Sequence, residues 1–376
     1  MKSVNIHGRS IDELKSNFDQ VVVHGFTPTL AIVFCSITQD LKALQHFFTG
    51  HNIQIFGSTT AGEIIDDEVL EKSIVVMLLD IKKEYFRIHH TEEENTFEAS
   101  RSVARFSKQA FENPSVVIIS SGLTRDAEQI INGFQQFDQE IPLFGGLAAD
   151  DLTMKGSFVF TNNFQSSFGL IALVLDGDKI NVKGLATSGW DNIGIEKTIT
   201  HSEGNIVYSI DNEPAVDVFV KYFQFTESVD NTAEIIAQNF AQYPLQLTKD
   251  NGNLVLRAPL MVDIESRALI FAGGIPQGSK VKFCVQPGFD LIEKTTQRVR
   301  AIKDDIPEAD AILMFSCKAR HMALGPLTGE ESGMIRKIWD KPLIGFFTYG
   351  EIGTAKNASC DFHNETCSMV VLAEKQ

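Results

Sequence analysis

Positive charge is scarce in this chain: 33 Lys and Arg stand against 49 Asp and Glu, for a formal charge of -16. With no basic cluster to offset it locally, that balance repels phosphate backbones and anionic lipid headgroups, so neither nucleic acid nor a membrane surface is expected as a partner. Long apolar runs are missing too. The segment "SIVVMLLDI" is far too short to cross a bilayer, and "MKSVNIHGRSIDELKSN" lacks the apolar core of a signal peptide, which leaves a cytosolic protein as the expectation. The 5 cysteines are odd in number, form no C-x-x-C pair and mostly lie in apolar runs, so reduced thiols are expected rather than a disulfide framework. No phosphate-cradling signature is present either, since neither G-x-x-x-x-G-K-[ST] nor G-x-G-x-x-G follows a predicted strand.

What the chain does have is length and repetition. Its 376 residues, 43% of them hydrophobic, suffice for two domains or one large duplicated one. "AIVFCS" is followed by an amphipathic "DLKALQHFF" and by "IQIFGSTTAGE", ending at Glu63. The same order of strand, helix, strand, glycine loop and acid recurs from "SVVIISS" through "RDAEQIINGFQQF" to "IPLFGGLAADD", ending at Asp151. A third copy runs from "AILMFSC" through "GEESGMIRKIWD" to "KPLIGFFTYGE", ending at Glu351. Gly57, Gly145 and Gly345 each end an apolar strand six positions before the acid, and each first strand closes on a small polar pair, Cys35-Ser36, Ser120-Ser121 or Ser316-Cys317.

Strands rich in Val, Ile and Phe alternating with helices predict an α/β fold, with repeated strand–helix–strand units forming mixed sheets flanked by helices. The stretch from Ser157 to Trp190 reads as an inserted antiparallel meander, "AVDVFVKYF" and "AEIIAQNFAQY" as helices, and residues 254–285 as strands and turns again. Turn residues at "DNEP", with Pro214 placed to open a helix, put a domain boundary after Asn212, giving domains 1–212 and 213–376. Ligands in such sheets bind beyond the carboxyl ends of strands, so the three glycine loops are candidates for one shared pocket or several equivalent ones.

The motifs "FCS", "FGSTTAGEI", "FGGLAADD", "ATSGWDNIGIEKTITHSEGNIVYSIDNEPAVDVFVKYF", "FSCKAR", "GFFTYGEIG" and "FHNET" occur in an order that resembles the F-box and intracellular signal transduction (FIST) family, from about Pro28 to Leu372. The resemblance implies an N-terminal FIST domain followed by its C-terminal partner, a sensor of small ligands proposed to include amino acids. With no output domain attached, it implies signalling through a separate protein such as a histidine kinase. One group of stand-alone bacterial members is similar to haem-bound nitric-oxide sensors, which leaves noncovalent haem as an alternative.

An amino-acid-like ligand needs an acceptor for its ammonium and donors for its carboxylate in an otherwise dry cleft. Glu351 or Asp150 can take the ammonium. Arg320 can grip a carboxylate, unless it pairs with Glu330 or Glu331 on the next helix, and Tyr349, Ser58 and Thr59 offer hydroxyls. Glu63, Asp151, Cys317 and, in "FHNET", Asn364 complete the candidate set, although each acid can equally cap a turn or pair with a basic neighbour. For haem the candidate axial ligands are His321, His363 and His201, and no C-x-x-C-H is present for covalent attachment. Cys317 with His321 or His363 also resembles a hydrolase's thiol and base, but no cysteine-hydrolase signature occurs, so an enzyme is not expected. Cys360, His363 and Cys367 lack a fourth partner of zinc spacing and read as strand residues.

Overall fold

The computed structural model describes residues 1–22, 25–224, 240, 242–286, 288, 290–355 and 359–375. Each repeat pairs its two strands in parallel: Leu30–Ser36 with Gln54–Thr60, Pro114–Ser120 with Leu143–Leu147, and Ala311–Cys317 with Leu343–Thr348. The crossover helices Leu41–Gly50, Ala127–Phe137 and Thr328–Trp339 cover one face, the first two capped by the Asp40 and Asp126 side chains. A return strand, Ile74–Asp80, Leu170–Asp176 or Cys367–Glu374, adds antiparallel on one side of the pair. Beyond the return strands lie Lys2–Gly8, Phe86–Thr91 and Ile180–Thr187.

The other side of each parallel pair is closed by a different repeat. After its second strand, every unit sends a short hairpin out of its own sheet. Glu63–Ile65 of the first unit pairs with Leu343–Thr348 of the third, Val159–Phe160 of the second with Gln54–Thr60 of the first, and Glu351–Thr354 of the third with Leu143–Leu147 of the second. The exchange is cyclic and produces three six-stranded sheets around a pseudo-threefold centre. Their inner faces share one core, in which Phe34, Phe315 and Phe346 meet with ring centroids 4.6 to 6.3 Å apart and Val117, Ile119 and Leu173 arrive from the second unit.

The α/β class with mixed sheets is therefore as expected, but the antiparallel part is not where the turn residues suggested. Strands of 157–190 are dealt to all three sheets instead of forming a meander. Leu170–Asp176 is buried on both faces and sits between two strands, whereas Ile180–Thr187 alternates in burial over its first half and sits at an edge. Residues 191–285 carry the antiparallel sheet, curled around the bulged strand Asp191–Glu203, which pairs with Lys280–Val285 and with Ile206–Ile210. Helix Ala215–Phe223 packs inside the curl through Phe219, which touches Phe240, Phe271 and Phe283. Pro214 opens that helix after a turn whose Asp211 and Asn212 have φ of 51° and 66°. The expected helix "AEIIAQNFAQY" lies almost wholly outside the described residues. The sequence boundary at 212 does not separate the repeats in space, since the third unit's sheet takes strands from 63–70 and 180–187.

The repeat glycines are set by packing more than by turn geometry. A Cβ on Gly345 would lie 2.3 Å from the Met314 carbonyl oxygen, and one on Gly57 would lie 2.6 Å from the Phe160 ring. Only Gly145 combines both constraints, with φ of +145° and a Cβ position 1.8 Å from the Ile118 carbonyl oxygen. Gly145→Ala is expected to cost about 2–5 kcal/mol through strain and overpacking. Urea denaturation checks this: the midpoint falls with the slope unchanged.

Candidate functional site

The exchanged hairpins bring the three strand-end corners together in a ring. Ala61 N–H donates to Phe347 O at 3.0 Å, Ala149 N–H to Thr59 O at 3.0 Å, and Tyr349 N–H to Leu147 O at 3.4 Å, each corner bonding the one before it. Thr59 tightens one junction, donating its hydroxyl to Ala149 O at 2.6 Å and accepting from Phe158 N–H at 2.8 Å. Ser58 beside it is buried, and its hydroxyl has no partner among the described residues.

Glu63 and Glu351 occupy equivalent cages. Glu63 accepts from the Thr60 hydroxyl at 2.5 Å, the Ser73 hydroxyl at 2.6 Å and Ser73 N–H at 3.1 Å. Glu351 accepts from the Thr348 hydroxyl at 3.2 Å, the Thr366 hydroxyl at 2.8 Å and Thr366 N–H at 3.3 Å. Each carboxyl thus ties its own corner to the start of its return strand. Burial pushes Glu63 up to about 7, although its hydrogen bonds pull the other way, and raises Glu351 well above the usual carboxylate range. In the second unit Ala148 replaces the threonine and Gly169 the second hydroxyl, so no such cage exists. Asp151 instead accepts the Ser36 hydroxyl of the first unit at 2.6 Å.

The second corner also differs by a longer loop, 150–157. Asp150 organises it, accepting from the Thr153 hydroxyl at 2.7 Å, from Lys155 N–H at 2.6 Å, from Gly156 N–H at 3.0 Å and from the Tyr349 hydroxyl at 2.5 Å. Burial alone would raise this carboxyl; the donors outweigh it and hold it below its ordinary value. Asp151, Leu152 and Met154 have φ of 54°, 62° and 54°, a strained run of non-glycine residues that leaves Leu152 and Met154 exposed. Nearby, the half-buried Lys318 amine is 3.0 Å from His321 Nδ1, and the imidazole stacks on Phe347 at 3.9 Å. Burial lowers the Lys318 pKa, and burial together with Lys318 takes His321 down to about 4.

Beneath the third corner lies a fully buried polar cluster. Arg320 commits its whole guanidinium to the protein. Nε donates to Glu331 at 3.1 Å, Nη2 to Glu331 at 2.5 Å and Thr295 at 2.8 Å, and Nη1 to the Ser188 and Glu365 carbonyls. The alternative in which Arg320 pairs with Glu331 is the one the fold adopts, and no donor is left for a ligand carboxylate. The Glu365 carbonyl also accepts from Trp190 Nε1 at 3.1 Å, which pins the 363–366 turn at a residue with φ of 57°.

The side chains of that turn gather several buried polar atoms that lack partners. Among the described residues, both carboxyl oxygens of Glu365, both amide atoms of Asn364 and the Ser316 hydroxyl are buried without a hydrogen-bond partner. Burial pushes Glu365 up to about 8. Cys317, Glu351 and Asn364 therefore come together with Glu365, whereas Ser58, Thr59, Glu63, Asp150 and Asp151 belong to the other corners, and Tyr349 of the third corner turns its hydroxyl to Asp150. Glu365 was missed from sequence although "FHNET" contains it; nothing in the spacing distinguishes it from an exposed turn residue.

This geometry also bears on the other chemistries. Burial, and then the nearby Glu351 and Glu365 carboxyls, raise the Cys317 thiol well above its ordinary value, the opposite of what a nucleophile needs. His363 is buried, its Nε2 3.1 Å from the Gly353 carbonyl, and burial takes it down to about 4. Haem needs a free axial atom beside a wide apolar cavity. His363 and His321 are engaged as described, His201 is exposed and stacked on Tyr208, and neither of two cavities among the described residues, of about 350 and 290 Å³, is lined by any of the three. These histidines do not fit a haem. No group of three or more His, Cys, Asp or Glu among the described residues is placed to hold a metal ion.

Residues 29–213 match the FIST N domain and residues 215–354 the FIST C domain. The chain belongs to the FIST family. FIST domains are signal-transduction sensor domains, and here the two stand side by side across most of the chain. A relative, the uncharacterized protein MJ1623 of Methanocaldococcus jannaschii, is 24% identical over 280 residues, 66% of this FIST chain. The chain spans about half of that protein's length, 52%. No helix among the described residues is long and apolar enough to cross a membrane.

The raised Glu365 pKa has a stability consequence. A carboxyl near 8 when folded, against an ordinary 4.5, contributes stability fully below 4.5 and loses it as pH rises through 8. Glu365→Gln removes that term. Its melting temperature relative to the parent is expected to climb by a few degrees between about pH 5 and pH 9. Calorimetric scans of both proteins across that range check it.

Proposed function

We propose that this FIST protein is a cytosolic sensor of a small amine-bearing, amino-acid-like ligand, and that it signals through a separate protein such as a histidine kinase. The observation that carries the reading is the Asn364–Glu365 pair, unpartnered among the described residues and buried beside the Glu351 cage. A buried carboxyl and amide left unpaired cost about 1–3 kcal/mol each, and an ammonium group is the partner that would satisfy both acceptors while ionising Glu365.

The ligand's amine is assigned to Glu365 and the Asn364 carbonyl, with Ser316 as a further contact. Because these groups are enclosed, the 363–366 turn must part from the Glu351 corner for the ligand to enter. Binding therefore favours a minor, opened arrangement, and the partner reads the shifted population. The strained φ at Glu365 and its clamped carbonyl suit a turn held between two arrangements. No reaction is proposed, since the Cys317 thiol is held protonated.

Calorimetric titration with a panel of free L-amino acids tests the assignment. At least one is expected to bind, and Glu365→Gln and Asn364→Ala are each expected to weaken it about tenfold or more, the scale of a hydrogen bond to a charged group. Binding that is indifferent to both substitutions would overturn the site.

A further inference from the structure

A second site lies away from the corners, in the cleft between helix Asp290–Arg300 and helix Thr328–Trp339. The cavity there measures about 290 Å³, at the lower end of the range for small-molecule pockets. Its walls are apolar where the helices face each other, through Ile292, Leu327 and Met334. Thr296 also lines it, is 2% exposed, and carries a buried hydroxyl that has no hydrogen-bond partner among the described residues. A polar atom left in that state is the mark of a missing partner.

The charges at the rim decide what that partner is. Glu293 already accepts from the Gln297 amide at 3.0 Å, and Glu330 lies in the first turn of its helix, where the backbone N–H groups stabilise a carboxylate. Arg300, exposed at the rim, lines the same cavity, and its guanidinium has no ion pair or hydrogen bond among the described residues. A free planar fork at one end, a lone hydroxyl within and apolar walls between them match a single carboxylate on an aliphatic body. The two glutamates would repel a second negative charge.

We infer that this cleft binds a small aliphatic monocarboxylate, held by Arg300 and Thr296 with its chain against Ile292, Leu327 and Met334. The site is separate from the one proposed for the amine ligand but is wired to it. Thr295 and Glu331, next in sequence to Thr296 and Glu330, are the residues that hold Arg320, and Arg320 holds the Glu365 carbonyl. An occupant that shifts either helix therefore bears on the 363–366 turn.

Calorimetry with sodium hexanoate as the probe, and hexylammonium chloride as the control, tests the inference. Hexanoate is expected to bind saturably, and butyrate, hexanoate and octanoate to gain about fourfold per added methylene until the cleft is filled. Arg300→Gln is expected to weaken hexanoate about tenfold or more. Thr296→Val is expected to weaken hexanoate while raising the melting temperature of the free protein, because it removes the unpartnered hydroxyl. Glu365→Gln should leave hexanoate affinity within about twofold, so failure at one site is distinguishable from failure at the other. Absence of saturable hexanoate binding, equal binding by Arg300→Gln, or hexylammonium binding as tightly as hexanoate would each overturn the inference.

Discussion

An uncovered strand edge is a surface on which any other strand can pair, and each repeat of this protein leaves one. The parallel pair at the heart of a unit is closed on one side by its own return strand and on the other only by a hairpin borrowed from another unit. Because the borrowing runs in a cycle, no unit completes its sheet alone, and all three corners must come within hydrogen-bond distance of one another. The glycines sit where that closeness leaves no space for a Cβ, as Gly145 does against the Ile118 carbonyl. The shared apolar core and the ring of polar corners are thus two faces of the same exchange.

The exchange also explains why the repeats have diverged. Two corners keep a carboxyl caged by a threonine and by the hydroxyl that opens the return strand, which ties the outgoing hairpin to the sheet it leaves. The second corner lacks both hydroxyls, turns its acid, Asp151, to the Ser36 hydroxyl of the first unit, and has the Asp150-organised loop. A caged carboxylate with one hydroxyl removed would be a buried group short of a donor, so the two hydroxyls are present or absent together and the acid without them takes its donor elsewhere. The third corner keeps its cage and adds the Asn364–Glu365 turn, where a carboxyl and an amide are buried without partners among the described residues.

Much of the fold was legible in the sequence because it is local. The strand–helix–strand repeats, the mixed sheets and the helix opened by Pro214 follow from apolar periodicity and from turn and cap residues. Which sheet a strand joins is not local: Leu170–Asp176 and Ile180–Thr187 read alike as turn-linked strands and lie in different sheets. The candidate residues show the same division. "FSC", "YGE" and "FHNET" pointed to Cys317, Glu351 and Asn364, which do converge. The acid that is left unpartnered, Glu365, follows Asn364 in a turn whose burial no local pattern marks, and distant residues, Arg320 and Trp190, hold its carbonyl. For Arg320 the sequence left two readings open, a fork for a ligand or a pair with Glu330 or Glu331, and only the packing decides for Glu331.

The claim on which the functional reading rests is that Glu365 is a buried, unpartnered carboxyl waiting for a cation. Carbon-detected NMR of the labelled side chain, titrated with and without a bound amino acid, measures it directly. The free protein is expected to titrate Glu365 near 8, and the complex to hold the same carboxyl ionised down to the ordinary carboxylate range or below. A midpoint near 4.5 in the free protein, or one that does not move when the ligand binds, would contradict the account.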